Sequence, residues 1–145
     1  MNVDDLALAL GVGAARGAKA LARAVPGEKQ RVAALGEAVA RALEQAGHEP
    51  LRLSLEQGRL SLDDGAADAL CGSGLPEATA ALPLLRECAR VVRHGGPVIL
   101  ATAAGIVGRG PERALVTALF VHAGLIDVQQ HLSRGTAITS GRVRR

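Results

Sequence analysis

The segment Glu87–Leu100 reads ECARVVRHGGPVIL and combines three local signals. Its first half continues an apolar stripe at helical spacing that begins at Leu82. Gly95 stands where the C-terminus of a helix favours a left-handed residue. Val98–Leu100 is apolar without alternation, as in a strand that is covered on both faces. A helix, a glycine turn and a two-sided strand form half of a parallel unit, so the segment predicts an α/β protein.

This segment resembles the turn before the fifth strand of class I S-adenosylmethionine-dependent methyltransferases. The family pattern there is an acidic residue, Arg-Val-Leu, Arg-Pro-Gly-Gly and an aliphatic strand; His94 replaces the proline. The resemblance extends from Leu6 to Val143, and the chain is identified as a short, degenerate member of the methyltransferase type 11-like kind. It implies a Rossmann-like methyltransferase fold. This is a three-layer α/β/α sandwich with a mostly parallel seven-stranded sheet, strand order 3-2-1-4-5-7-6, and an antiparallel last strand.

Size and composition limit the classes of protein. The 145 residues predict a single methyltransferase-like domain, residues 1–145, with residues 142–145 as a basic, solvated tail. A hydrophobic content of 48% excludes a disordered chain. Phe120 is the only aromatic residue, so the chain has no platform for stacking bases, and a nucleic-acid partner is not expected. The net charge of +3 is modest.

The sequence predicts a cytoplasmic protein without a membrane segment or a metal. The acidic N-terminus is unlike a signal peptide, and the weakly polar run 95–108 is too short to cross a bilayer. Cys71 and Cys88 lack CxxC spacing and are expected to be buried thiols. The histidines show no metal-ligand spacing; they are His48, His94, His122 and His131.

A first cofactor motif is predicted near the N-terminus. Leu6–Leu10 reads as a strand that ends at Gly11-Val12-Gly13, and a helix follows through Ala24. The resemblance to the family motif acid-x-Gly-x-Gly-x-Gly implies that Gly11 and Gly13 approach the cofactor. Ala9 then replaces the acid and Ala15 the third glycine. A tight packing turn is the alternative interpretation.

The second and third predicted strands, 30–35 and 51–55, lead to a second part of the site; the start of the next helix is the alternative for 32–35. Glu37 is expected to be a surface glutamate at the N-terminus of that helix. The resemblance places the acid that binds the ribose hydroxyls on Ala33 or Ala34, so that contact is lost. It also implies that Glu56 accepts the adenine amino group and that the Gln57 backbone N–H meets the adenine ring. An exposed loop carboxylate is the alternative for Glu56.

Asp68 is implied to be the structural acid that opens the fourth strand. Cys71 is a predicted cofactor contact at the end of that strand, at the carboxyl edge where open α/β sheets bind ligands. Ser73 is the side chain that the chain offers there, so no catalytic acid or base is predicted.

Two functions compete. One is a small active S-adenosylmethionine-dependent methyltransferase, because methyl transfer depends mainly on positioning. The other is a degenerate domain that binds S-adenosylmethionine weakly or not at all and acts as a protein-interaction or oligomerisation module. The second is favoured because cofactor acids are missing, no helices precede Leu6, and the loop after the fifth strand is short.

A partner surface is predicted in the C-terminal third. Helix 111–123 carries more than one apolar stripe: Leu115, Val116, Leu119, Phe120 and Val121. Residues 127–143 read as a β-hairpin at the sheet edge. The helix or this edge is therefore expected to contact a second copy of the chain or another protein.

Overall fold

The computed structural model describes residues 17–74, 78–103, 113–133 and 136–145. Over these ranges it has four helices: α1 (Ala18–Ala24), α2 (Glu37–Gln45), α3 (Ala78–Val91) and α4 (Arg113–His122). The strands are β1 (Arg31–Leu35), β2 (Glu49–Arg52), β3 (Leu55–Glu56), β4 (Arg59–Leu60), β5 (Ala69–Ser73), β6 (Pro97–Ala103), β7 (Ile126–Ser133) and β8 (Thr136–Arg142).

Six strands form one sheet in the order β2-β1-β5-β6-β8-β7. The first four are parallel, and β8 is antiparallel to both β6 and β7. Side chains of β1 alternate between two cores: Val32 and Ala34 pack with α1 and α2, whereas Ala33 and Leu35 pack with α3 and α4. The predicted α/β/α sandwich, its mostly parallel sheet and its antiparallel final strand are confirmed.

The position of the first strand was predicted wrongly. β1 pairs directly with β5, from Val32 opposite Ala69 to Leu35 opposite Gly72. No place is left between them for a strand at 6–10, so β1 holds the central position expected of the first strand. Residues 6–10 themselves lie outside the described ranges.

The predicted count of seven strands is also wrong for the described residues. The family order would place a third strand outside β2, but the chain after β2 forms a separate hairpin from β3 and β4. Gln57 and Gly58 both have positive φ, at 51° and 77°, and form its tight turn. β2 is therefore the sheet edge, and it carries Pro50; the strand predicted at 51–55 begins two residues earlier and ends at Arg52.

Arg90 of α3 fixes this hairpin to the domain. Its guanidinium donates to the carbonyl oxygens of Leu60 (3.0 Å) and Leu62 (2.9 Å) and to the Asp64 carboxylate (2.8 Å). It also forms two hydrogen bonds with Glu87, which accepts a third from the Leu60 N–H. The Arg90 and Glu87 side chains are only 17% and 16% exposed, so the ion pair is largely shielded from water. We call Asp64, Glu87 and Arg90 the hairpin anchor.

The turn between α3 and β6 follows the prediction. Gly95 has φ +80°, the left-handed conformation expected of it. The backbone N–H of Gly95 donates to Val143, and the N–H of Val143 donates to Gly96. Asp68 lies beside this turn, where it accepts a hydrogen bond from the Arg31 N–H at 2.9 Å and pairs with Arg93 at 3.2 Å. This placement fits a structural acid at the start of β5.

The C-terminal tail was expected to be solvated, but its last residue contacts α3. The Arg145 guanidinium donates to the carbonyl oxygens of Ala89 (3.1 Å), Arg90 and Val92 (2.9 Å). A cation that binds free carbonyls at a helix C-terminus also opposes the negative end of the helix dipole. The contact spans more than fifty residues of sequence, so no local pattern could indicate it.

Arg145→Ala is expected to lower the free energy of unfolding by about 1 kcal/mol, because three α3 carbonyls lose their shared donor. Arg144→Ala is the matched control: it removes the same charge from an exposed neighbour. Urea denaturation of both variants measures the difference. Equal effects would mean that Arg145 contributes only its charge.

Candidate functional site

The carboxyl edge of the parallel strands is the candidate site, because open α/β sheets bind ligands there. In the described residues β1, β2, β5 and β6 end at Leu35, Arg52, Ser73 and Ala103. None of these is a carboxylate or a histidine. Gly36 follows β1 with φ 112° and ψ 145°, and a side chain added to it would meet no atom of the described residues within 4 Å.

An ion-pair cluster occupies the ends of β1 and β2. Arg52 donates to both carboxylate oxygens of Glu37, at 2.9 and 3.1 Å, and to Glu44 at 2.8 Å. Arg41 lies 3.5 Å from Glu37 on the next turn of α2. We call these four residues, Glu37, Arg41, Glu44 and Arg52, the edge cluster.

The edge cluster places two carboxylates and two guanidinium groups beside the carboxyl ends of β1 and β2. The hydrogen bond from Arg52 lowers the pKa of Glu37 below its usual value, and Glu37 in turn raises the pKa of Arg52. Both groups are therefore charged at neutral pH. Glu37 is also the first residue of α2, so it places a carboxylate near the positive end of the helix dipole.

Two predicted cofactor residues, Glu56 and Gln57, lie on the β3–β4 hairpin. Glu56 is exposed and lies opposite Arg59 in the antiparallel register of the hairpin. Gln57 forms the turn. The described hydrogen bonds of β4 attach the hairpin to Glu87 and Arg90 of α3, not to the ends of β1 and β5. The adenine contacts implied for these two residues therefore stay predictions.

The structure places Cys71 inside the core. Its thiol has no exposed surface, packs with the α1 and α2 cluster and lies 3.8 Å from the Leu21 carbonyl oxygen. Burial raises the pKa of Cys71 to about 12, so it stays a neutral thiol. Cys71 lies two residues before the end of β5, beneath α1, which argues against a contact with a ligand at the edge. Ser73, at that end, is also buried.

Gly11 and Gly13 lie outside the described residues, and their cofactor role stays a prediction. The central position of β1 nevertheless moves the first motif. In the pattern acid-x-Gly-x-Gly-x-Gly, the residue after β1 that matches the first glycine is Gly36. Ala34 then stands at the acid, and Ala38 and Ala40 stand at the later glycines. α2 begins directly at Glu37, so no extended glycine loop follows β1.

A separate groove of about 590 Å³ lies on the α1 side of β6, β8 and β7. Pro26, Pro97 and Arg142 line it, which places it toward the end of the sheet opposite the candidate edge. Two of its charged residues, Asp127 and Arg142, pair with each other. The groove therefore shows no convergent set of reactive groups.

The described ranges show no helix with the length and apolarity of a membrane span and no group of side chains suited to a metal ion.

The sequence matches no family model and no curated protein. Solved structures are similar in fold. A chain from the Haloferax volcanii complex containing the Trm112 methyltransferase activator is 16% identical, with 90% of each chain covered and a TM-score of 0.67.

Two further solved structures are also similar to this chain in fold. The 1,6-didemethyltoxoflavin-N1-methyltransferase of Burkholderia thailandensis is 13% identical, with 99% of this chain and 87% of that chain covered and a TM-score of 0.65. The chain has the methyltransferase fold. A Thermotoga maritima S-adenosylmethionine-dependent methyltransferase is 14% identical, with 89% of this chain and 88% of that chain covered and a TM-score of 0.57. At such identities the likeness concerns the fold alone.

Within this methyltransferase fold, sequence reasoning missed Gly36 and Arg52, whereas Glu37 is the expected glutamate at the N-terminus of a helix. A signal for Gly36 was present: an apolar run without alternation, Val32–Leu35, is followed by glycine and an amphipathic helix. The glycine motif was assigned to Gly11-Val12-Gly13 instead, because that stretch contains two glycines. Arg52 and Glu37 are fifteen residues apart, and only the pairing of β1 with β2 brings them together.

Proposed function

We propose that this chain is a degenerate methyltransferase-like domain that binds S-adenosylmethionine weakly or not at all and acts through contacts with proteins. The edge cluster carries the proposal. The family's ribose-binding acid closes the second strand, but β2 ends at Arg52, a cation already paired with Glu37 and Glu44. The first-strand acid is replaced by Ala34, which is buried.

The electrostatics support weak binding. Each lost carboxylate removes a charge-assisted hydrogen bond of about 1.5–3 kcal/mol, so two losses weaken affinity roughly a hundredfold or more.

Two further reasons for degeneracy, the absence of helices before Leu6 and the short loop after β6, concern residues outside the described ranges. In the described residues, α1 precedes β1 and packs on β5 and β6. The proposal therefore rests on the edge cluster and the missing acids.

A protein-interaction role is supported by the surface of α4 and β7, where apolar side chains face solvent. A chain of similar fold occurs in a complex that contains a methyltransferase activator, and this supports contact with a protein partner. Both cysteines are free, which fits the proposed cytoplasmic location.

An active methyltransferase of unknown acceptor remains the second candidate, because Gly36 would let a ligand approach the backbone. Gly36 has a positive φ, and a side chain added to it meets no atom of the described residues within 4 Å; it stands at the start of α2, where free N–H groups of a helix point toward a ligand. If the domain is active, Gly36 is the residue whose backbone the cofactor contacts.

Calorimetric titration with S-adenosylmethionine and S-adenosylhomocysteine tests the proposal, with an active methyltransferase on the same ligand stocks as a positive control. We expect no saturable heat at micromolar concentrations, because the acids that hold the ribose and the first-strand contact are missing.

A dissociation constant in the low micromolar range would contradict the proposal. Gly36→Val would then locate the ligand, because its side chain fills the space above α2. Gly58→Val is the matched control: Gly58 also has positive φ and open surroundings, but it lies on the β3–β4 hairpin. Binding that is lost only in Gly36→Val would establish a cofactor site at the sheet edge.

A further inference from the structure

All four large apolar side chains that the described residues expose lie on α4 and β7. Leu115 (42% exposed) and Val121 (58%) belong to α4, and Ile126 (37%) and Leu132 (53%) belong to β7. We call this surface, the outer face of α4 together with the free edge of β7, the α4–β7 flank. Its apolar residues are concentrated on one side of the domain, which is typical of an interaction site.

We propose that the α4–β7 flank binds a second copy of this chain, through antiparallel pairing of β7 with β7 about a twofold axis. This inference rests on the proposed function, in which the domain acts through protein contacts. β7 is the outermost strand of the sheet, with β8 on its inner side. A bulge lies between Ile126 and Gln129, and the regular part of the strand beyond it, Gln129–Ser133, has no Lys, Arg, Asp, Glu or Pro, the residues that usually prevent an edge from pairing.

The alternation of β7 selects a register. Val128 lies on the α4 side, because a side chain at Gly141 would touch Val128, Phe120 and Leu125 together. Gln130 and Leu132 then share that side, and Gln129 and His131 face the other. A twofold axis through Gln130 places Leu132 opposite Val128 of the second copy and His131 opposite Gln129. The exposed Leu132 is thereby covered in both copies.

The same axis brings the two α4 helices side by side on one face of the joined sheet. Val116, Leu119 and Phe120 of each helix already face its own core. The exposed positions are Ala114, Leu115, Ala118, Val121 and His122, and none is an acid, lysine or arginine. Alanines at two of these positions allow helices to approach to about 8–10 Å, the usual packing distance.

Charge and the second edge favour a copy of the same chain as the occupant. Each chain carries a modest net charge of +3, and among the described side chains of α4 and β7 the only fixed charge is that of Asp127, so two flanks meet without like charges between them. Asp127 is paired with Arg142 within its own chain. β2, the other edge, carries Glu49, Pro50 and Arg52, so it is unsuited to pairing with β7.

The size of the flank sets the affinity. A strand of eight residues is about 27 Å long, and a flank about 15–20 Å wide buries about 400–550 Å² per copy, below the usual 800 Å² of a stable complex. The dimer is therefore expected to be of micromolar strength.

Sedimentation equilibrium over a concentration series tests the inference on the full chain. We expect a monomer–dimer equilibrium with a dissociation constant on the order of 10 µM. Leu132→Lys should raise that constant at least tenfold, because two lysines would face the interface. Gln45→Lys, at an exposed position at the end of α2, adds the same charge elsewhere and should leave it unchanged. Thermal melts confirm that both variants are folded.

Disulfide trapping tests the register. Gln129→Cys and His131→Cys should cross-link rapidly when mixed and slowly alone, because residue 129 faces 131 across the axis. The native Cys71 and Cys88 are fully buried and do not interfere. A monomer at 100 µM, a dimer insensitive to Leu132→Lys, or equal cross-linking of each variant alone would overturn the inference. These outcomes leave weak cofactor binding intact, whereas micromolar S-adenosylmethionine binding would overturn the proposed function without affecting the dimer.

Discussion

Gly96→Ala is expected to lower the free energy of unfolding by about 3 kcal/mol. A Cβ at this position would lie 2.4 Å from the Asp68 carbonyl oxygen and 2.6 Å from Val92 Cγ1. The carbonyl belongs to the backbone that leads into β5, and Val92 is fully buried, so neither can move aside alone. Either the turn opens or the start of β5 shifts.

Gly95→Ala is the control for this prediction. Gly95 has φ +80° and no atom near its missing Cβ, so alanine there meets only backbone strain of about 1 kcal/mol. Urea denaturation of the two variants compares steric conflict with conformational strain at adjacent glycines. Equal losses would show that the close approach at Gly96 does not exist in solution.

Arg90→Met is expected to reduce the free energy of unfolding by about 2–4 kcal/mol. Methionine keeps much of the side-chain volume but removes the five hydrogen bonds that Arg90 donates within the hairpin anchor and to Leu60 and Leu62. It leaves the shielded Glu87 carboxylate without its partner, which is the costly way to break an ion pair. Arg86→Met, on the exposed side of the same helix, is the control and should change little.

The pH dependence of the loss in unfolding free energy distinguishes a lost ion pair from lost packing. Hydrogen bonds from Arg90 lower the pKa of Glu87 below 4.5 and that of Asp64 below 3.8. Carboxyls with a lowered pKa stabilise the fold above their unfolded pKa values and lose that effect as the pH falls through the folded values. The difference between wild type and Arg90→Met should therefore be full above about pH 5 and shrink toward pH 3. A difference independent of pH would point to lost packing instead.

Local signals predicted the elements in which one short stretch determines the structure. The left-handed Gly95, the helix that ends before Gly47 and the β7–β8 hairpin all follow from glycine placement and periodicity. The position of β1 did not, because 6–10 and 32–35 are both short apolar runs followed by glycine. Only pairing with β5 distinguishes them, and pairing is a tertiary property.

The chemistry of the candidate site was less predictable than the fold. Arg52 contacts Glu37, and Arg90 contacts Leu60, across separations of 15 and 30 residues. Both arginines read as surface charges in the sequence, because their partners become neighbours only after the strands assemble. The position of the ribose acid was assigned to Ala33 or Ala34, because the second strand was taken to be 30–35. Since β1 pairs with both β2 and β5, that position moves to the end of β2.

The two edges of the sheet differ in a way that limits the stoichiometry of assembly. β2 is four residues long and interrupts its row of N–H donors at Pro50, while β7 pairs regularly from Gln129 to Ser133, beyond the bulge after Ile126. A chain with two open edges can add copies at both ends without limit. Here only one edge accepts a neighbour, so pairing through β7 uses up that edge in both copies. The assembly closes at two, and the sheet cannot extend into a fibre.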